Sequence, residues 1–78
     1  MDRNLRAFLA VVRHGNLTAA ADAIGLTQPA LTKSIRRLED SVGGVLFDRS
    51  TRGMELNETG RLFLERARAI ETHWSQAR

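Results

Sequence analysis

The sequence predicts a mainly α-helical fold: three helices, a short two-stranded β-hairpin, and then a fourth, longer helix. Three observations predict it. Apolar residues recur at helical spacing in four segments, which glycines or capping residues separate. A β-prone run from Val45 and a short return at Met54–Leu56 bracket a polar loop. With 78 residues there is room for one small domain and only a modest core.

Leu5, Phe8, Leu9 and Val12 follow the i, i+3, i+4, i+7 rule and give the first helix one apolar face, and Gly15 ends it near His14. Asn16 and Thr18 are both good helix starters, and Ala19–Ile24 has strong helix propensity. Ala20, Ala21 and Ile24 are the expected buried side of this short second helix, and Gly25 with Leu26 makes the turn that follows. Thr27 is suited to cap the third helix with its hydroxyl. Pro29 falls in the first turn, where a missing N–H costs nothing. Leu31, Ile35, Leu38 and Val42 form a narrow stripe on that helix, which covers 28–42 and stops at Gly43 and Gly44.

Val45–Arg49 reads as a strand and Met54–Leu56 as its return, joined by Ser50, Thr51, Arg52 and Gly53, with Met54 packed on the core. Asn57 is a cap for a last helix that runs to the end of the chain. There Phe63, Ala67, Ile70, Trp74 and Ala77 space at four, three, four and three, a heptad seam. Such a seam packs either on its own domain, as Leu62 or Leu64 are placed to do, or on a partner helix. Phe63, Ile70 and Trp74 extend beyond what so small a body covers, which favours a second copy.

Composition removes several function classes. Cysteine is absent, which excludes disulfides, thiolate metal sites and cysteine nucleophiles. His14 and His73 stand far apart without carboxylates at ligand spacing, so no metal is implied, nor any cofactor. His14 suits a helix end and His73 a solvated face. No set of nucleophile, base and orienter is present, and the chain does not read as an enzyme. The apolar stretch Ala7–Val12 is too short to span a bilayer and no export signal opens the chain, so a soluble cytoplasmic protein is expected. A net charge of +3 and a pI near 11.0 favour an anionic partner.

A short helix, a glycine turn and a longer capped helix make a helix-turn-helix. At about 100° per residue, Pro29, Lys33, Arg36 and Arg37 point away from the apolar stripe of the third helix, with Gln28 and Thr32 on its flank. Asp40 also faces outward, about two turns further along, where the helix would be leaving a groove. Gln pairs with adenine N6/N7, and Arg or Lys with guanine O6/N7. Thr32 offers a hydroxyl to phosphate and a methyl to thymine. The helix starts near Thr18 and Thr27 present N–H groups to phosphate. The competing reading is a solvated face paired with Glu39 or Asp40, on a helical interaction module that binds no DNA. Arg52, at the hairpin tip, either enters a minor groove or is an ordinary loop arginine. Arg49 either meets phosphate or pairs with Asp48.

The runs Leu17-Thr18-Ala19-Ala20-Ala21 and Thr27-Gln28-Pro29-Ala30-Leu31-Thr32, with Ile35 and Leu38-Glu39, resemble the signature of LysR-type transcriptional regulators. Gly43, Leu46-Phe47-Asp48-Arg49, Thr51-Arg52-Gly53 and Leu56-Asn57-Glu58-Thr59-Gly60 continue the resemblance in order and spacing, from Leu5 to about Ala69. It implies a winged helix-turn-helix domain over 1–56, with a three-helix core and a two-stranded wing, followed by a linker and dimerisation helix over 57–78. It implies double-stranded DNA as partner, at an interrupted palindromic operator. Positions matching Gln28, Pro29, Thr32, Lys33 and Arg36 then face the major groove, Thr18 touches phosphate, and Arg52 enters the minor groove. The resemblance also implies a homodimer through the last helix, and it allows a tetramer that needs the effector-binding domain such regulators carry after it. That domain is absent here, so the chain is expected to be a piece of a longer protein. Thr27 and Thr32 stand where the family often has serine, and Lys33 where it frequently has arginine; lysine lacks the bidentate fork. Ala19 replaces a commonly basic residue.

Overall fold

The protein is seen in a computed structural model that describes residues 2–50 and 53–77, with side chains described as far as residue 70. Thr51 and Arg52, and the side chain of Trp74, lie outside the described residues. The elements run α1 (Arg3–His14), α2 (Leu17–Ile24), α3 (Gln28–Val42), β1 (Phe47–Ser50), β2 (Gly53–Leu56) and α4 (Glu58–Ala77).

Each helix starts on a side-chain cap, at Asn16, Thr27 and Asn57 as their residue types suggest and at Asp2 for α1. Asp2 accepts the N–H of Leu5 at 3.0 Å, Asn16 that of Ala19 at 2.8 Å, and Thr27 that of Ala30 at 3.3 Å. Asn57 accepts the N–H of Gly60 at 2.7 Å. These acceptors satisfy first-turn donors that have no partner within a helix. The first three helices end on Gly15, Gly25 and Gly43, all left-handed.

The core sits between the three helices and the hairpin. Leu5, Phe8 and Val11 of α1 meet Ala20 and Ala21 of α2 and Leu31, Ile35 and Leu38 of α3, all buried. The alanines of α2 carry little bulk, so α2 approaches α1 closely and holds the start of α3 in place. Leu46 and Phe47 close the core from the hairpin side. The ring of Phe8 lies 5.4 Å from that of Phe47, tilted. Ser34 is the buried polar residue among the described side chains.

The hairpin is antiparallel, with Phe47 opposite Leu56 and Ser50 opposite Gly53. This architecture of a three-helix core with a two-stranded wing is a winged helix-turn-helix. The wing differs from expectation at its start. β1 begins at Phe47 and runs to Ser50, while Val45 stays outside the ladder and is 61% exposed. The reason is that Val45 and Leu46 use their backbone groups elsewhere. The Val45 carbonyl accepts from the Asn57 side chain at 2.8 Å, and the Leu46 N–H donates to the Glu39 carboxylate at 2.8 Å.

The first turns of α4 pack on this body. Ala67 is fully buried, Phe63 and Leu64 are partly buried against the core, and Leu62 is exposed. Gly60 sets the approach: a Cβ there would run into the carbonyl of Leu46 and the side chain of Leu56.

Candidate nucleic-acid interface

The face of α3 that turns from the core carries the cationic and amide residues. Leu31, Ser34, Ile35 and Leu38 are buried, whereas Gln28, Pro29, Lys33, Arg36 and Arg37 are exposed and Thr32 is half-buried. Pro29 costs α3 no hydrogen bond because it stands in the first turn. Asp40 is exposed one turn beyond Arg36. Among the described residues no carboxylate pairs with Lys33, Arg36 or Arg37. Glu39, one of the two carboxylates considered for such pairing, instead accepts from the Leu46 backbone.

Two shallow depressions meet on this face. One is lined by Leu17, Gln28, Pro29, Thr32, Lys33, Arg36 and Arg49. The other takes in Asn16, Leu17, Thr18, Gln28, Arg49, Ser50, Gly53 and Met54. They share Leu17, Gln28 and Arg49, so the start of α2, the start of α3 and the wing form one continuous surface. Thr18, Gln28, Pro29, Thr32, Lys33, Arg36 and Arg49 are therefore brought together. Thr27 is exposed at the α3 start, where its hydroxyl oxygen serves as cap, and it lines neither depression. Asn16 and Ser50 line the second one and were not singled out from sequence as part of a surface. The N-cap role of Asn16 is the signal that places it beside the α2 start.

Arg49 reaches this surface because of strand alternation. Side chains along a strand point to opposite faces in turn, so Arg49 shares the side of buried Phe47, and Asp48 takes the other. The ladder sets Met54 opposite Arg49, and both face the crease beside α3. Local pairing of Arg49 with Asp48 is thereby disfavoured.

The wing is fixed to the helices at two places. Met54 donates its N–H to the carbonyl of Gly15, at the α1–α2 turn, at 3.1 Å. Leu46 donates to Glu39, near the end of α3. Gly53 has φ +118°, and a Cβ on it would strike the same Gly15 carbonyl, so a side chain here is excluded both by backbone conformation and by contact.

Of the seam residues on α4, Phe63 and Ala67 face the domain's own core. Phe63 meets Phe8 edge-on, with centroids 5.0 Å apart. Ile70 is 51% exposed.

The bacterial regulatory helix-turn-helix protein model of the lysR family matches residues 3–61. The chain belongs to the lysR family. LysR-family relatives include the HTH-type transcriptional regulator BudR of Klebsiella aerogenes, 52% identical over 65 residues, which are 83% of this chain and 46% of BudR. The fold superimposes on CbnR, a LysR family transcriptional regulator, with a TM-score of 0.91 at 41% identity, covering 99% of this chain and 27% of CbnR. It also superimposes on the CbnR DNA-binding domain solved as a DNA complex, with a TM-score of 0.90 at 41% identity, covering 99% of this chain and 90% of that one. The chain thus spans under half of BudR and about a quarter of full-length CbnR. No described helix is long and apolar enough to cross a membrane.

Proposed function

We propose that this chain is the DNA-reading part of a bacterial LysR-type transcription regulator and binds double-stranded DNA in a sequence-specific way. α3 enters the major groove, with Gln28, Pro29, Thr32, Lys33 and Arg36 toward base edges. Thr18, Thr27 and Arg49 hold backbone phosphates, and Arg52 reaches an adjoining minor groove. It acts by occupying DNA rather than by catalysis, in the bacterial cytoplasm. A second copy joins through α4, where Ile70 and Trp74 continue the seam after Phe63 and Ala67. The pair reads an interrupted palindrome, and in the full-length regulator an effector-binding domain follows residues 57–78 and permits tetramers.

The observation that carries this reading is the continuous exposed surface around Gln28. It joins a helix start, a cationic helix face and the wing, and among the described residues no carboxylate pairs with Lys33, Arg36 or Arg37 of that face. The likeness to a domain solved on DNA supports it further. The test is binding to duplex DNA across a salt series. Affinity is expected at low salt, with log K falling linearly against log salt at a slope of about −0.9 per phosphate neutralised. No affinity at low salt would overturn the reading in favour of a protein-interaction module.

A further inference from the structure

We propose that Glu39 is a positioning residue for duplex recognition: its carboxylate holds the wing at a set orientation to α3, so that both reach adjacent grooves at once. The inference rests on the DNA-binding reading above and adds a residue that does not itself face the DNA surface.

Glu39 is placed against its own helix. It sits in the last turn of α3 beside Asp40, and that turn has no basic residue. A helix C-terminus carries partial negative charge, so carboxylates there are unfavourable. What the position offers instead is reach. Glu39 stands in the crease between α3 and the hairpin, whose walls include Ile35, Arg36, Val45, Phe47 and Arg49. From there it accepts the N–H of Leu46 at 2.8 Å. Leu46 is fully buried, and a buried backbone donor needs a partner. The same residue closes the end of α3, because its carbonyl accepts from Gly43 at 2.8 Å and from Gly44 at 3.1 Å. One residue therefore stops the recognition helix and receives the strand that follows.

The consequence is orientation. The bonds from Asn57 to Val45 and Leu46 lie within the hairpin and its exit into α4, so they do not set the hairpin against α3. Glu39–Leu46 ties it to α3, and Gly15–Met54 ties it to the α1–α2 turn. Packing of Leu46 and Phe47 keeps the hairpin on the core, and two separated directional bonds narrow its angle further than one does. Without the Glu39 bond the hairpin keeps the Gly15 attachment and the packing of Leu46 and Phe47 but loses its described hydrogen bond to α3, so the offset of Arg49 from Gln28 is less tightly held.

The experiment compares wild type, Glu39→Leu and Glu39→Gln. Leucine keeps bulk and helix propensity but removes the acceptor, while glutamine keeps an acceptor oxygen. Affinities are measured for one half-site flanked by A·T-rich or G·C-rich duplex, and for a scrambled half-site. Glu39→Leu is expected to bring the flank ratio close to one, leaving the half-site ratio unchanged within about twofold, and Glu39→Gln is expected to retain both. An unchanged flank ratio in folded Glu39→Leu overturns the proposal. So does a parallel fall of both ratios, which marks a merely structural role. Should Glu39→Leu not fold, Glu39→Asp, which retracts the carboxylate by one methylene, takes its place under the same criteria. Hydrogen exchange of the Leu46 amide is followed without DNA. Faster exchange in the leucine variant and wild-type exchange in the glutamine variant are expected, and equal exchange in all three overturns the proposal. If wild type shows no flank preference, the minor-groove part of the functional reading fails, and the exchange result still decides whether Glu39 holds the wing.

Discussion

Phe63 of α4 meets Phe8 of α1 edge-on, the two ring centroids 5.0 Å apart, so the last helix begins as part of the domain's own core. Phe63 is therefore a folding residue here, whatever it contributes to pairing. Phe63→Ala is expected to destabilise the isolated domain by about 2 kcal/mol, below the ~3–5 kcal/mol typical of a fully buried phenylalanine, because Phe63 is only partly covered. Urea denaturation at low protein concentration checks this; an unchanged midpoint would remove Phe63 from the core.

Ile70 gives the contrasting case. It is exposed on the same helix one turn past buried Ala67. Ile70→Glu is expected to leave the unfolding midpoint of the domain nearly unchanged and to weaken self-association, through a buried charge without a partner. Sedimentation over a concentration series measures this. A variant that dimerises as well as wild type would place the pairing surface elsewhere.

Gly60 sits where α4 crosses the start of the wing, and a methyl group there meets the Leu46 carbonyl and the Leu56 side chain. Gly60→Ala is expected to cost roughly 1–3 kcal/mol through forced backbone displacement, although alanine favours the helix. A thermal melt checks the sign. Stabilisation would show that α4 is free to move away from Leu46.

Much of this fold was legible in the sequence because its helices announce their own ends. Asn16, Thr27 and Asn57 cap helices in the structure as their residue types suggest, and α3 spans the expected 28–42. The α3 stripe was legible through Ile35 and Leu38, while Val42 at its end is 39% exposed, because the stripe outruns the body it covers. The strand start was not legible. Val45-Leu46-Phe47 is one continuous apolar run, and nothing local says that the first two residues bond to Glu39 and Asn57 instead of the opposite strand. The heptad spacing of α4 named the seam, but spacing alone does not say which part faces the domain itself, as Phe63 and Ala67 do. Gln28, Lys33 and Arg36 were legible as an outward set from helical angle. Their union with Thr18 and Arg49 is a tertiary fact, since it depends on how α2 and the wing flank α3.

Gln28 stands at the junction of both depressions and offers a paired donor and acceptor. Gln28→Ala is expected to reduce preference for the operator over random duplex by about 1–3 kcal/mol, with much smaller loss on random DNA. Competition binding at fixed salt measures both. Equal loss on the two duplexes would make Gln28 a backbone contact.

The central claim is that one particular surface meets DNA, and backbone amide shifts in the 15N-labelled chain titrated with operator duplex test it most directly. Changes are expected to concentrate on the α2 start at Leu17 and Thr18, on Gln28–Arg36 and on the wing near Arg49, with Arg6, Leu9 and Arg13 of α1 nearly unmoved. Changes centred on that α1 face, with α3 undisturbed, would contradict the account.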